Sequence, residues 1–103
     1  MTDVFEVVAE PARRRILDLL VERPLAVGEI AAATGMSQPN ASRHLRILRE
    51  GGLVESRPDR QRRIYELRPD GLAELMGWIG PYQRLWSRGL DALERHLDEE
   101  ERR

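Results

Sequence analysis

The chain of 103 residues has no cysteine, no lysine, only five aromatic side chains and no long apolar run. Zero cysteines exclude disulfides, thiolate metal ligands and a cysteine nucleophile. The scarcity of aromatics leaves Leu, Ile and Val to fill the core of what, at this length, is a single domain. No stretch approaches the roughly 18 apolar residues that span a bilayer, and the N-terminus has no basic segment followed by an apolar block. A cytoplasmic protein without a membrane partner is expected. Nor does a convergent His, carboxylate and Ser set or a glycine-rich phosphate loop assemble, so no enzyme is expected.

What is present is charge, unevenly spread. The net charge is -1, but residues 37–68 hold eight arginines against four acids, while the segments before and after carry net negative charge. A basic middle third in a near-neutral chain points to a local anionic partner. All 17 basic residues are arginine, a side chain whose planar fork suits phosphate and base edges.

Along the chain, Asp3 to Ala9 reads as a short apolar helix. Pro11 opens a second, PARRRILDLLVE, whose Ile16, Leu17, Leu19, Leu20 and Val21 make a broad buried face and which Pro24 closes. LAVGEIAAAT is a third helix, ended by Gly35. Ser37 caps a fourth, where Pro39 costs nothing because first-turn N–H groups lack intrahelical partners, and Gly51-Gly52 stop it at Glu50. LVESR and RRIYELR alternate as strands do and form a hairpin around the polar turn Pro58 to Gln61. Beyond Pro69 the chain is helical again, with Gly80-Pro81 expected to kink or break the helix and Glu99 to Arg103 forming a frayed tail.

The fourth helix is two-faced. Ala41, Leu45 and Leu48 share a narrow core side, whereas Pro39, Asn40, Arg43, Arg46 and Glu50 lie opposite, with Gln38 and Ser42 in the first turns near the core edge. A helix that enters a DNA major groove by its N-terminal end reads bases with its first turns, using amides for adenine and arginine for guanine or phosphate. Ala31, Gly35 and Ala41 supply the small residues that two tightly crossing helices need, which is a helix-turn-helix spacing. Arg57, Arg60, Arg62 and Arg63 cluster around the hairpin tip, where a β wing lies along a phosphate backbone. Arg13 to Arg15 oppose the dipole of their own helix and are expected to contact phosphate or, preferably, the acids Glu6 and Glu10. A winged-helix module that binds protein instead of DNA would place apolar residues on the outward face of the fourth helix; Asn40, Arg43 and Arg46 argue against it.

The segment GEIAAATGMSQPNASRHLRILREGGLVESRPDRQRRIYELRP resembles the winged helix-turn-helix core of ArsR-type bacterial transcriptional repressors, and PARRRILDLL resembles the helix that leads into it. WIGPYQRLWSRGLDALERHL is similar to the branch without metal sites, that of the SdpR-type autorepressors. The resemblance implies a mainly α fold with a β-hairpin wing, dimerised through its N- and C-terminal helices. It also implies a homodimer that binds a pseudo-palindromic double-stranded DNA operator and represses transcription, often of its own operon. By position it makes Gln38, Asn40, Ser42 and Arg43 the recognition residues and places Arg60, Gln61 and Arg62 at the wing; Arg46, on the outward face of the fourth helix, is read from its charge as a backbone clamp. Metal-sensing members carry cysteines near the helix that begins at Val27, or His and Asp ligands on the last helix. Here there is no cysteine, His44 lies on the flank of the fourth helix, and His96 sits at a solvated helix end, so neither metal nor cofactor is expected.

Residues 3–24 would then form the first dimer helix and the lead-in helix, 27–50 the helix-turn-helix, 53–68 the wing, and 70–98 the dimerisation helix or a kinked pair, within one domain spanning 1–103. Residues 70–98, if helical throughout, span roughly 43 Å, longer than a small domain is wide. Tyr82, Trp86, Leu90, Leu93 and Leu97 are therefore expected to face a partner copy, with Val4, Phe5 and Val8 beside them. The alternative is a fold-back at Gly80-Pro81. Aromatic residues at helical spacing are read as packing surface, and no small-molecule effector is assigned to Trp78, Tyr82 and Trp86.

Overall fold

The computed structural model describes residues 3–102. Asp3 caps α1 (Val4–Ala9), its carboxylate accepting from the Phe5 amide. Pro11 stands at the start of α2 (Pro11–Glu22), in the first-turn place where its missing N–H has no partner to lose. Ile16 and Leu20 of α2 are buried, but Val21, expected in the same face, is exposed. Three to four residues separate helical neighbours, so a face that contains 16 and 20 turns 21 away from the core.

Leu25 and Ala26 are not the start of the third helix. They form β1 (Leu25–Ala26), antiparallel to the wing, with Leu25 opposite Tyr65 and Ala26 opposite Ile64. The helix α3 (Val27–Thr34) follows directly; the Glu29 carboxylate turns back to accept from the Ala26 amide at 3.0 Å. Gly35 ends α3 with φ 76°, its amide reaching Ala31 O at 2.9 Å. Ala31 and Ala41 are buried where α3 meets α4 (Gln38–Glu50), as the small-residue spacing requires.

Ala41, Leu45 and Leu48 of α4 are fully enclosed, with Ile16, Ile30, Leu53 and Val54 around them, and Ile47 packs half-buried against the same core. The helix stops at Gly51-Gly52, where Gly52 has φ 78° and Leu53 N reaches back to Leu48 O. β2 (Val54–Asp59) and β3 (Arg62–Leu67) form the hairpin, and the sheet order is β1-β3-β2. Pro58 and Asp59, expected in the turn, belong to β2 and lie opposite Arg63 and Arg62. A proline is tolerated there because β2 is an edge strand.

A 3-10 turn (Pro69–Leu72) leads into α5 (Ala73–Glu101), which stays helical through Pro81, against the expected break or fold-back. The bond that Pro81 cannot make would have ended on the carbonyl of Gly77, an exposed residue, so water can satisfy it. Helix also covers Glu99 to Glu101 of the expected tail; Arg103 lies outside the described residues. None of α5 is buried. The radius of gyration is 18.8 Å and the long axis 66 Å, whereas a compact chain of about 100 residues has a radius near 13 Å.

Gly71 is where the 3-10 turn passes closest to the core: a Cβ there would stand 2.1 Å from Gly52 O. Backbone cannot yield to such an overlap, so Gly71→Ala is expected to cost about 1–3 kcal/mol or more of unfolding free energy. Gly77→Ala meets nothing within 4 Å and removes a helix-interior glycine, so it should instead add roughly 0.5–1 kcal/mol. Denaturant unfolding of the two variants checks the opposite signs.

Candidate nucleic-acid interface

Ser37 and Pro39 build the tip of the interface. The Ser37 hydroxyl accepts from the Asn40 amide at 3.2 Å, closing the first turn of α4, and Pro39 presets the backbone there. With Leu45 and Leu48 locked inward, Pro39, Ser42, Arg43 and Arg46 face outward and line one shallow, open depression. Arg43 donates to the Asn40 side-chain oxygen at 2.9 Å, which orients both; Asn40 is half-buried and Arg43 exposed. Gln38 stands apart. A Cβ on Gly28 would lie 3.2 Å from Gln38 Nε2, so that amide rests against the first turn of α3.

At the far end of the hairpin the turn is only Arg60-Gln61, and Arg60 has φ 61°. A non-glycine residue in the left-handed region costs about 1–2 kcal/mol, here borne at the tip of an exposed basic loop. Asp59, Arg60, Gln61 and Arg62 line a second open depression. Arg62 is already engaged, 3.6 Å from Glu29 and 3.8 Å from Asp59. The Ala26 amide, with Arg23 and Arg62, holds the Glu29 carboxyl below the usual carboxylate range. The structure thus brings Asn40, Ser42, Arg43 and Arg46 together, sets Arg60 and Gln61 free at the wing tip, and leaves Arg62 tied to α3.

Among the described residues no carboxylate lies within 4.0 Å of Arg43, Arg46, Arg49, Arg60 or Arg63. Sequence reasoning missed Arg49 and placed Arg63 only within the basic cluster at the hairpin tip. Arg49 follows Arg46 by three positions on the outward side, a spacing legible in the sequence, but its meeting with the wing depends on a register that only the fold supplies.

Behind the interface, α4 is fastened by a buried histidine. His44 is 6 % exposed, the only buried polar residue among those described, and Arg13 Nη1 lies 3.5 Å from its Nδ1. Arg13 also donates to Val7 O at 2.7 Å and Glu6 O at 3.4 Å, and Arg14 to Val8 O and Ala9 O. Arg13 and Arg14 therefore bind the C-terminal carbonyls of α1, not the carboxylates of Glu6 and Glu10 as expected; those carbonyls lack helical partners and carry the negative end of the dipole. From α1 the connection continues through Phe5, whose ring meets Trp78 of α5 edge-on at 5.6 Å, and Trp78 meets Tyr82 at 5.2 Å. Val4, expected at a dimer seam, is sealed in the protomer's own core; Phe5 and Val8 remain half-buried. No group of three or more His, Asp or Glu side chains among the described residues is arranged to hold a metal ion, and His96 pairs with Glu100 in the open at 3.2 Å.

Three helices, a tight glycine turn into α4 and a basic hairpin after it define a winged helix-turn-helix protein. A sequence profile described as bacterial regulatory protein, arsR family, matches residues 10–56, from the start of α2 into β2. The HTH-type transcriptional regulator Rv2034 of Mycobacterium tuberculosis is 38% identical over 96 residues, covering 93% of this chain and 87% of that protein. The transcriptional repressor SdpR of Bacillus subtilis is 33% identical over 79 residues, covering 77% and 88%. A solved homodimeric winged helix-turn-helix DNA-binding domain from Mycobacterium bovis superposes with a TM-score of 0.65 at 37% identity, covering 79% of this chain and 75% of that one. The chain belongs to the ArsR family of bacterial regulatory proteins.

Burial, then the neighbouring Arg43 and Arg13, depress the proton affinity of His44 below its ordinary value, with Glu10 opposing them. The unfolded chain therefore takes up this proton first: the stability is fully present above the ordinary histidine range and is lost as pH falls through the folded value. Denaturant midpoints should drop between about pH 7.5 and about pH 5.5, and His44→Gln should drop less over that window. An equal drop in both would contradict the assignment.

Proposed function

We propose that this protein is a homodimeric, sequence-specific DNA-binding transcriptional repressor, acting at a pseudo-palindromic operator of its own operon. The observation that carries the reading is the outward row of α4, where Pro39, Ser42, Arg43 and Arg46 stand exposed with no acid among the described residues neutralising either guanidinium. Such a row, presented by the first turns of a capped helix, suits base edges and flanking phosphates in a major groove. Arg60 and Gln61 would touch the backbone or minor groove, while Arg62 acts mainly by bracing the wing against Glu29.

The dimer is supported by α5. Trp78, Tyr82, Leu85, Trp86, Leu90, Leu93 and Leu97 are each about half exposed or more, a contiguous apolar surface larger than monomers ordinarily show to water. A twofold copy covering that row would set two α4 helices about one turn of DNA apart, roughly 34 Å.

Selection of genomic fragments followed by footprinting tests the reading: it should yield a protected site with two inverted half-sites whose centres lie about 10 base pairs apart. Arg43→Ala should reduce preference for that site over random duplex more than it reduces random-duplex binding. Protection without symmetry, or no protection at all, would overturn the reading. Arg60→Gly should raise stability by about 0.5–1 kcal/mol by removing the left-handed strain while weakening binding to every duplex alike.

A further inference from the structure

Ser56, the third residue of β2, holds two guanidiniums at once. Arg49 Nη1, from the last turn of α4, and Arg63 Nη1, from β3, each donate to Ser56 Oγ at 3.4 Å. The register explains the wing half of the contact: Ser56 pairs with Tyr65 and Pro58 with Arg63, so Ser56 and Arg63 are diagonal neighbours on one face of the hairpin. Arg49 supplies the other half by prolonging the row Ser42, Arg46 along α4 to the base of the wing.

Among the described residues no carboxylate lies within 4.0 Å of Arg49 or Arg63, the adjacent Glu50 and Glu55 included. Glu66 pairs with Arg57, and Asp59 and Glu29 pair with Arg62. Two un-neutralised cations drawn to one neutral hydroxyl repel each other, and a shared anion converts that repulsion into attraction. With its oxygen accepting from both arginines, the Ser56 hydroxyl keeps its own hydrogen to donate. Two charged forks and a hydroxyl converging on one point match the several acceptor oxygens of a phosphodiester.

We propose that Arg49, Ser56 and Arg63 form a seat for one backbone phosphate of duplex DNA where the recognition helix joins the wing. The seat rests on the DNA-binding reading above and adds to it a contact that fixes the angle between α4 and the hairpin on the duplex. Being a backbone contact, it should hold every sequence equally.

The test is fluorescence anisotropy of the full chain with a random-sequence duplex of about 30 base pairs across a potassium chloride series. The double variant Arg49→Gln/Arg63→Gln should flatten the slope of log K against log salt by about 2 for a dimer, one phosphate per protomer, instead of the about 4 that two independent contacts would give. Ser56→Ala should weaken binding about 3- to 10-fold with the slope unchanged. The double variant Arg49→Lys/Arg63→Lys, which keeps both charges, should keep the slope, and Arg88→Gln on α5 should not alter it. A wild-type slope in the double glutamine variant, a flattening near 4, or wild-type affinity in Ser56→Ala would overturn the seat. Failure of the wild-type chain to bind any duplex at low salt would overturn the DNA-binding reading, and the seat with it.

Discussion

Water accepts single leucines on a protein surface but penalises a continuous row of them, and α5 is such a row. Over 29 residues it fully buries no side chain within its own protomer; Leu75 and Ile79 are half-buried, and Trp78 meets Phe5 edge-on. Covering that row requires a second surface of the same length and apolar character, and a second α5 is one. In the proposed dimer this requirement also sets function, since the symmetry that hides α5 fixes how far apart the two α4 helices stand.

Each α4 is held from behind with similar economy. Ala41, Leu45 and Leu48 fill the core, which leaves the outward row no freedom to rotate inward. Arg13 then joins three elements: its guanidinium holds the end of α1, lies beside His44 of α4, and so connects the recognition helix with the helix whose Phe5 rests on α5.

Much of this arrangement was legible in the residues. Pro11, Ser37-Pro39 and Gly51-Gly52 mark helix ends through backbone chemistry that acts locally, and Ala31, Gly35 and Ala41 mark a close crossing, so the helix-turn-helix could be drawn before any coordinates. β1 could not. Two residues carry no periodicity, and their strand exists only because β3 passes beside them. Pro58 looked like a turn because its tolerance depends on β2 being an edge, and Pro81 looked like a break because the sequence does not say that the surrounding turn is bathed in water. At the interface, the residue types on α4 were readable from spacing, whereas the meeting of Arg49 with Arg63 on Ser56, the capture of Arg62 by Glu29 and the sealing of Val4 all come from tertiary geometry.

The central claim is the twofold placement of two recognition helices by α5. Because the chain has no native cysteine, Ser42→Cys gives one spin label per protomer, and a pulsed dipolar distance between the labels measures that placement directly. A single distribution centred near about 34 Å is expected. Absence of any dipolar coupling at micromolar protein, or a separation that cannot match successive major grooves, would contradict it.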